Sequence, residues 1–307
     1  MDRSPHPIPT IDGTVALLLC LAINVESIRL TAPRWAEYLD ITRKVLNSPW
    51  SNMPGSPVPF SKLKSVELHG SLEQDAGMKL SVNGATPRLV IKSVCIQAIN
   101  NAPYVPDTLR FLELHSVLIT PDLVESLVAG LTYLNLKSLA LYHLGSDEAE
   151  WADYDYSRLS ALLVTHTPHL ESFECMHLYP ESPRPFTHLR RLTKLHTLRV
   201  DAELLIDFAL ENVYICGTAM LPAGLKHLEL GVSDPKHIEH HIEGPTEEGP
   251  DSLFADPIRS VALETFTVTV TMRPYYYMGA FQDATCDRMK EFVERVAQRG
   301  LEYRVFG

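Results

Sequence analysis

Three histidines and two glutamates crowd into one short stretch, HIEHHIE, comprising His237, Glu239, His240, His241 and Glu243. Imidazole nitrogens and a carboxylate are good zinc ligands, so a metal-dependent enzyme centred on His237, His240 and His241 is the sharpest catalytic hypothesis here. The spacing argues against it. The H-E-x-x-H pattern, which sets two imidazoles on one helical face, is absent. Residues 234–258 are rich in Pro, acid and His, the composition of an inserted loop. A second candidate pairs Cys175 with His177. Strand alternation puts Cys175 at an inward core slot, and nothing beside it would depress a thiol pKa. No phosphate-binding glycine loop, G-x-S-x-G elbow or kinase signature occurs. We therefore expect no catalytic residue, no metal and no cofactor.

Composition narrows the remaining classes. The 307 residues are 45% hydrophobic and 21% charged, a globular balance. Basic residues number 27 and acidic ones 38, a net charge of −11. A nucleic-acid binder usually carries a basic excess to meet phosphates, so that partner is not expected. The local basic spot at Arg190, Arg191 and Lys194 is too small to overturn the balance. An acidic run, Asp147 to Tyr156, reads as a solvated loop or a docking patch for a basic segment. Five scattered cysteines form no C-x-x-C pair, and no N-x-S/T acceptor is present. Both features fit a reducing compartment, cytoplasmic or nuclear. The longest apolar run, Val15 to Ile23, falls far short of the ~20 residues needed to span a bilayer, so no membrane partner is expected. The residues before it carry two Asp against one Arg, unlike a secretory leader. We read 1–13 as a tail, and the apolar run as a buried helix feeding the next strand.

What organises the chain is repetition. LKSVELHG begins at Leu63, LRFLELHS at Leu109, LKSLALYH at Leu136 and LKHLELGV at Leu225. Weaker copies begin at Val25, Ile91, Leu170, Leu195 and Leu263, with a mean spacing of about 30 residues. Such a period predicts stacked units, because one repeat cannot bury its own apolar edge. Amphipathic segments fall between the copies. One carries Trp35, Tyr38, Leu39, Val45 and Leu46 on one helical face. TPDLVESLVAGL offers Thr120 as cap and Pro121 at the first helical position, and YSRLSALLVTHTP is broken by Pro168. Residues 50–60 read as a Pro-rich connector. Residues 283–307 read as a capping helix, with Cys286, Met289, Val293 and Val296 as its stripe, followed by a last strand. The expected fold is a single α/β domain spanning 1–307. It is an irregular leucine-rich-repeat solenoid, with a parallel sheet on the concave face and helices and loops on the convex one.

The run VALLLCLAINVESIRL, followed by unevenly spaced L-[KR]-x-L-x-L strands, resembles the leucine-rich-repeat region of fungal F-box proteins. The resemblance runs from about Thr14 to Phe306. It implies a substrate receptor of a cullin-type ubiquitin ligase, whose F-box docks a Skp-type adaptor while the repeats hold the target. The residues before Thr14 have neither the length nor the Leu-Pro-type start of an F-box. Only the target-binding half of the implied role is therefore expected of these residues, namely a non-enzymatic protein-protein interaction module.

Alternation within each copy names its surface. With Leu63, Val66 and Leu68 inward, Ser65, Glu67 and His69 point outward. The same count places Phe111, Glu113 and His115 outward, then Ser138, Ala140 and Tyr142, then Ser172, Glu174 and Met176. Thr197, Arg199 and Asp201 follow, then His227, Glu229 and Gly231. The central slot reads Arg29, Glu67, Cys95, Glu113, Ala140, Glu174, Arg199, Glu229, Thr267. Its four glutamates suggest a protein partner with a basic, polar surface. Tyr276, in the run RPYYYMGAF, is a further contact candidate or part of an aromatic lid.

Overall fold

The structure is a computed structural model and describes residues 9–21, 24–31, 62–70, 78–81, 87–100, 109–130, 135–142, 144, 151, 154–176, 184–205, 221–232, 263–271 and 304–306. Two compact units divide the chain: Met1–Leu139 with Leu144–Ser146, and Ala140–His143 with Asp147–Gly307. Both are α/β, built on parallel strands with few helices among the described residues.

In the first unit, helix α1 (Pro9–Leu21) leads into strand β1 (Ser27–Thr31). Strands β2 (Ser65–His69), β3 (Met78–Ser81), β4 (Arg88–Lys92), β5 (Ile96–Asn100) and β6 (Phe111–His115) follow. Helix α2 (Pro121–Gly130) then precedes β7 (Ser138–Tyr142), whose first two residues belong to this unit. Strands β1, β2, β4 and β6 pair in parallel and in step, Arg29 opposite Glu67, Glu67 opposite Val90, and Val90 opposite Glu113. The second unit holds the end of β7, helix α3 (Tyr156–His166) and strands β8 (Ser172–Met176), β9 (Thr197–Asp201), β10 (His227–Val232), β11 (Thr265–Thr271) and β12 (Arg304–Phe306). From β8 onward its strands also pair in parallel and in sequence order.

The recurring phrase explains the core. Its first leucine is buried in copy after copy: Leu63, Leu109 and Leu136 in the first unit, and Leu170, Leu195 and Leu225 in the second. The next inward slots hold Val66, Leu112 and Leu114, then Phe173, Leu198, Val200 and Leu228. Backbone bonds between successive copies recur ahead of the strands. Lys64 N donates to Glu26 O, Arg88 N to Lys64 O, and Arg110 N to Pro87 O. In the second unit His196 N donates to Glu171 O, Lys226 N to His196 O, and Glu264 N to Lys226 O. Each apolar edge is thus covered by the next copy, as units too small to bury their own side chains require.

Helices α2 and α3 form for local reasons. Thr120 Oγ1 accepts from Leu123 N at 3.4 Å, Pro121 has no N–H to orphan, and Val124, Leu127 and Val128 face inward. Asp155 Oδ1 accepts from Ser157 N at 3.0 Å to start α3, which buries Tyr156, Leu159 and Leu163.

Four expectations change. Helix α1 starts at Pro9, inside the segment read as a tail. It is only half-buried, because Ala16 and Leu19 face inward while Leu17, Leu18 and Leu21 are exposed. Between β2 and β6 the chain forms β3 and β5, a separate two-stranded parallel sheet, in segments where helices and loops were expected between the copies. Finally, the copy assigned to Ile91 is out of register. The strand is Arg88–Lys92, with Val90 in the central slot, and Cys95 lies beyond it, bridged to Leu118. Thr86 stands where the phrase has leucine, and three apolar residues in a row, Leu89 to Ile91, hide the alternation. The chain turns out of β4 and β6 identically, with Ser93 at φ 53° and Ser116 at φ 51°. This left-handed conformation is uncommon for a non-glycine residue. The segments 32–61, 233–262 and 272–303 lie outside the described residues, and with them the helix expected at Trp35–Leu46 and the stripe from Cys286 to Val296.

Candidate functional site

The outward faces of the strands carry charged side chains in register, and in each unit these side chains pair with one another. In the first unit Glu67 is the hub. Its Oε1 lies 2.7 Å from His69 Nε2 and 2.9 Å from Lys92 Nζ, and its Oε2 lies 3.7 Å from Arg29 Nε. The hydrogen bond from His69, then that from Lys92, pulls the Glu67 carboxyl down from 4.5 to about 2. Glu113 forms a second hub. Arg88 donates to its Oε1 through Nε at 3.0 Å and Nη2 at 2.7 Å, and His115 Nε2 lies 3.1 Å from Oε2. The His115 bond, with Arg88 behind it, holds this carboxyl below its ordinary value against the opposing effect of burial.

Strand β4 links the two hubs, since Lys92 reaches back to β2 while Arg88 reaches forward to β6. Val90 sits between Glu67 and Glu113 in register and is 4% exposed. Phe111, opposite Arg88, stands out of the face at 40% exposure.

In the second unit Arg199 is the hub. Its Nε donates to Glu229 Oε2 at 2.7 Å and its Nη1 to Glu174 Oε2 at 2.8 Å. Nη1 also lies 3.2 Å from Tyr142 Oη, and Thr269 Oγ1 donates to Glu229 Oε1 at 2.7 Å. Burial opposes the guanidinium charge, but the Glu229 and Glu174 carboxylates outweigh it and raise the Arg199 pKa. Nearer the start of β10, His227 Nδ1 lies 2.8 Å from Thr265 Oγ1.

The sequence-derived set therefore divides. Glu67, His69, Phe111, Glu113 and His115 share one face in the first unit. Tyr142, Glu174, Arg199 and Glu229 meet through the Arg199 guanidinium in the second, with His227 at the other end of the strand from Gly231. Met176 does not belong on an exposed surface, being 1% exposed. Its Cε lies 2.7 Å from where a Cβ on Gly231 would sit, beside Asp201 Oδ1. The last outward rung, Met176, Asp201, Gly231 and Thr269, is buried throughout. Ala140, also expected outward, is 3% exposed. Tyr276 and the cluster His237, His240 and His241 lie outside the described residues, and among the described residues no group of three His, Cys, Asp or Glu could hold a metal ion.

The sequence reading missed the cations. Arg88 and Lys92 lie on the strand placed out of register, so the glutamates read as an acidic stripe. The signal was present, since an Arg and a Lys bracket three apolar residues. Cys175 is fully buried, and its thiol is pushed well above its ordinary value by burial, then by Asp201. No helix among the described residues is long and apolar enough to cross a membrane. No protein-family model, curated protein or solved structure matches this chain.

Proposed function

We propose that this chain is a non-enzymatic protein-binding module of the leucine-rich-repeat type, with the outward strand face as its recognition surface. The observation that carries this reading is Phe111, a large aromatic ring left 40% exposed among the paired charges of Glu113, Arg88 and His115. An aromatic anchor rimmed by oriented polar groups is the usual make-up of an interface hot spot. The glutamates already have cationic neighbours, so the partner that fits supplies an apolar pocket for the ring. Around that pocket it carries groups of both signs rather than a uniformly basic surface.

The test compares proteins captured by the full chain with those captured by Phe111→Ser and by Glu67→Lys/Glu113→Lys. Hydrogen-exchange footprinting of the captured complex follows. Loss of capture with unchanged far-UV dichroism, and protection centred on β2, β4 and β6, supports the face. Capture undiminished in both variants sinks it.

A further inference from the structure

A second charged surface lies away from the outward strand face, in the turn that leads into β9. The sequence LRRLTKLH places leucines at 189, 192 and 195, and all three are buried. Between them Arg190, Arg191, Thr193 and Lys194 are exposed, as is His196 just after them. The three-per-turn repeat of a 3₁₀ helix over Leu189–Arg191 produces this split, with apolar anchors inward and cations outward. The turn is held by its own backbone bonds, Arg191 N to His188 O at 3.0 Å, Leu192 N to Leu189 O at 2.9 Å and Leu195 N to Leu192 O at 3.0 Å. His188 N donates to Ser160 Oγ at 3.3 Å, which pins it to α3.

These cations differ from the ion-paired ones. Arg29, Lys64, Arg88, Lys92, Arg184, Arg199 and Lys226 each have a carboxylate partner. Among the described residues, no carboxylate pairs with Arg190, Arg191 or Lys194. In a chain of net charge −11, three cations with no carboxylate partner among the described residues, held outward by buried leucines, form a preorganised local reversal of charge.

We infer that the Arg190–Arg191–Lys194 turn docks an acidic peptide segment of another protein. Charge complementarity and size select this occupant. A nucleic-acid site typically neutralises about six to ten phosphates, and a polybasic lipid site uses about four to eight Lys or Arg. Three cations on a molecule of strongly negative net charge fall short of both. They are enough for a short run of Asp and Glu, which avoids the long-range repulsion that an extended polyanion would meet. This surface is separate from the strand face and stands or falls independently of it.

The test uses the full chain and a fluorescein-labelled peptide of alternating Asp and Glu, read by fluorescence anisotropy beside an Asn/Gln control peptide. The acidic peptide binds and the control does not, and binding weakens as salt rises from about 50 mM to about 500 mM. Arg190→Glu/Arg191→Glu lowers the affinity about tenfold or more. Lys194→Gln, which leaves every leucine anchor in place, lowers it by a smaller factor. Lys64→Glu, the same charge change per residue in the other unit, leaves it unchanged. No binding by the unmodified chain, or equal loss in Lys64→Glu, overturns the inference. So does tighter binding of duplex DNA or phosphatidylserine vesicles through the same three cations.

Discussion

Arg199 on β9 and Tyr142 on β7 lie two strands apart, with β8 between them, yet Arg199 Nη1 comes within 3.2 Å of Tyr142 Oη. The guanidinium also binds a glutamate on each flanking strand, Glu174 on β8 and Glu229 on β10. A long, planar, always-charged side chain with several donors can do this, whereas a lysine offers a single point charge.

Replacing Arg199 therefore tests a network rather than a pair. Arg199→Met leaves Glu174 and Glu229 facing each other and costs about 2 kcal/mol, less than for a fully buried pair because solvent still reaches the guanidinium. Arg199→Lys recovers only part of this. Urea unfolding of the three proteins measures both differences. Equal midpoints for all three would show that the network contributes nothing to stability.

Acid sensitivity follows from Glu67. Its folded pKa is depressed from 4.5 to about 2, so between these values the unfolded chain binds more protons than the folded one. The stability it contributes is fully present above about pH 4.5 and is lost as pH falls toward about 2. Glu113 is shifted in the same direction and adds to the effect. Glu67→Gln should show a shallower fall in urea midpoint across this window than the unmodified chain. Parallel pH profiles would count against the His69 and Lys92 contacts.

Tyr156 gives an opposite expectation. Its ring packs edge-on against Tyr154 and Phe186, but its hydroxyl is fully buried and has no hydrogen-bond partner among the described residues. Burial, then the nearby Cys175 and Asp201, push the phenol well above its ordinary value. Removing an unsatisfied buried donor relieves a desolvation penalty of about 1–3 kcal/mol, so Tyr156→Phe should be neutral or stabilising. A clear drop in melting temperature would mean that the hydroxyl is satisfied in solution.

Gly231 sits at a close approach of two side-chain tips. A Cβ there would lie 2.7 Å from both Asp201 Oδ1 and Met176 Cε, and both of those residues are buried. Gly231→Ala should destabilise by about 1–3 kcal/mol through overpacking. Met176→Val in the same chain should recover part of the loss, since it removes one of the two clashing groups. Thermal unfolding of the single and double variants reads the difference directly.

The sequence by itself determined where the strands that carry the leucine phrase begin and which side of them faces the core. A leucine phrase with strict alternation admits only one burial pattern, and β2, β6, β7, β8, β9 and β10 begin where that phrase predicts. It also placed Glu67, Glu113, Glu174, Arg199 and Glu229 on outward slots, because parity along a strand is a local property. Tertiary structure decided what lies beside what. Register between strands is fixed by pairing between residues more than 20 positions apart, and the copy with Thr86 in its first slot, Arg88–Lys92, supplied the cations that ion-pair Glu67 and Glu113. Burial of the last rung, Met176 with Asp201 and Gly231, was likewise beyond local reading. Alternation says which way a side chain points but not what covers it.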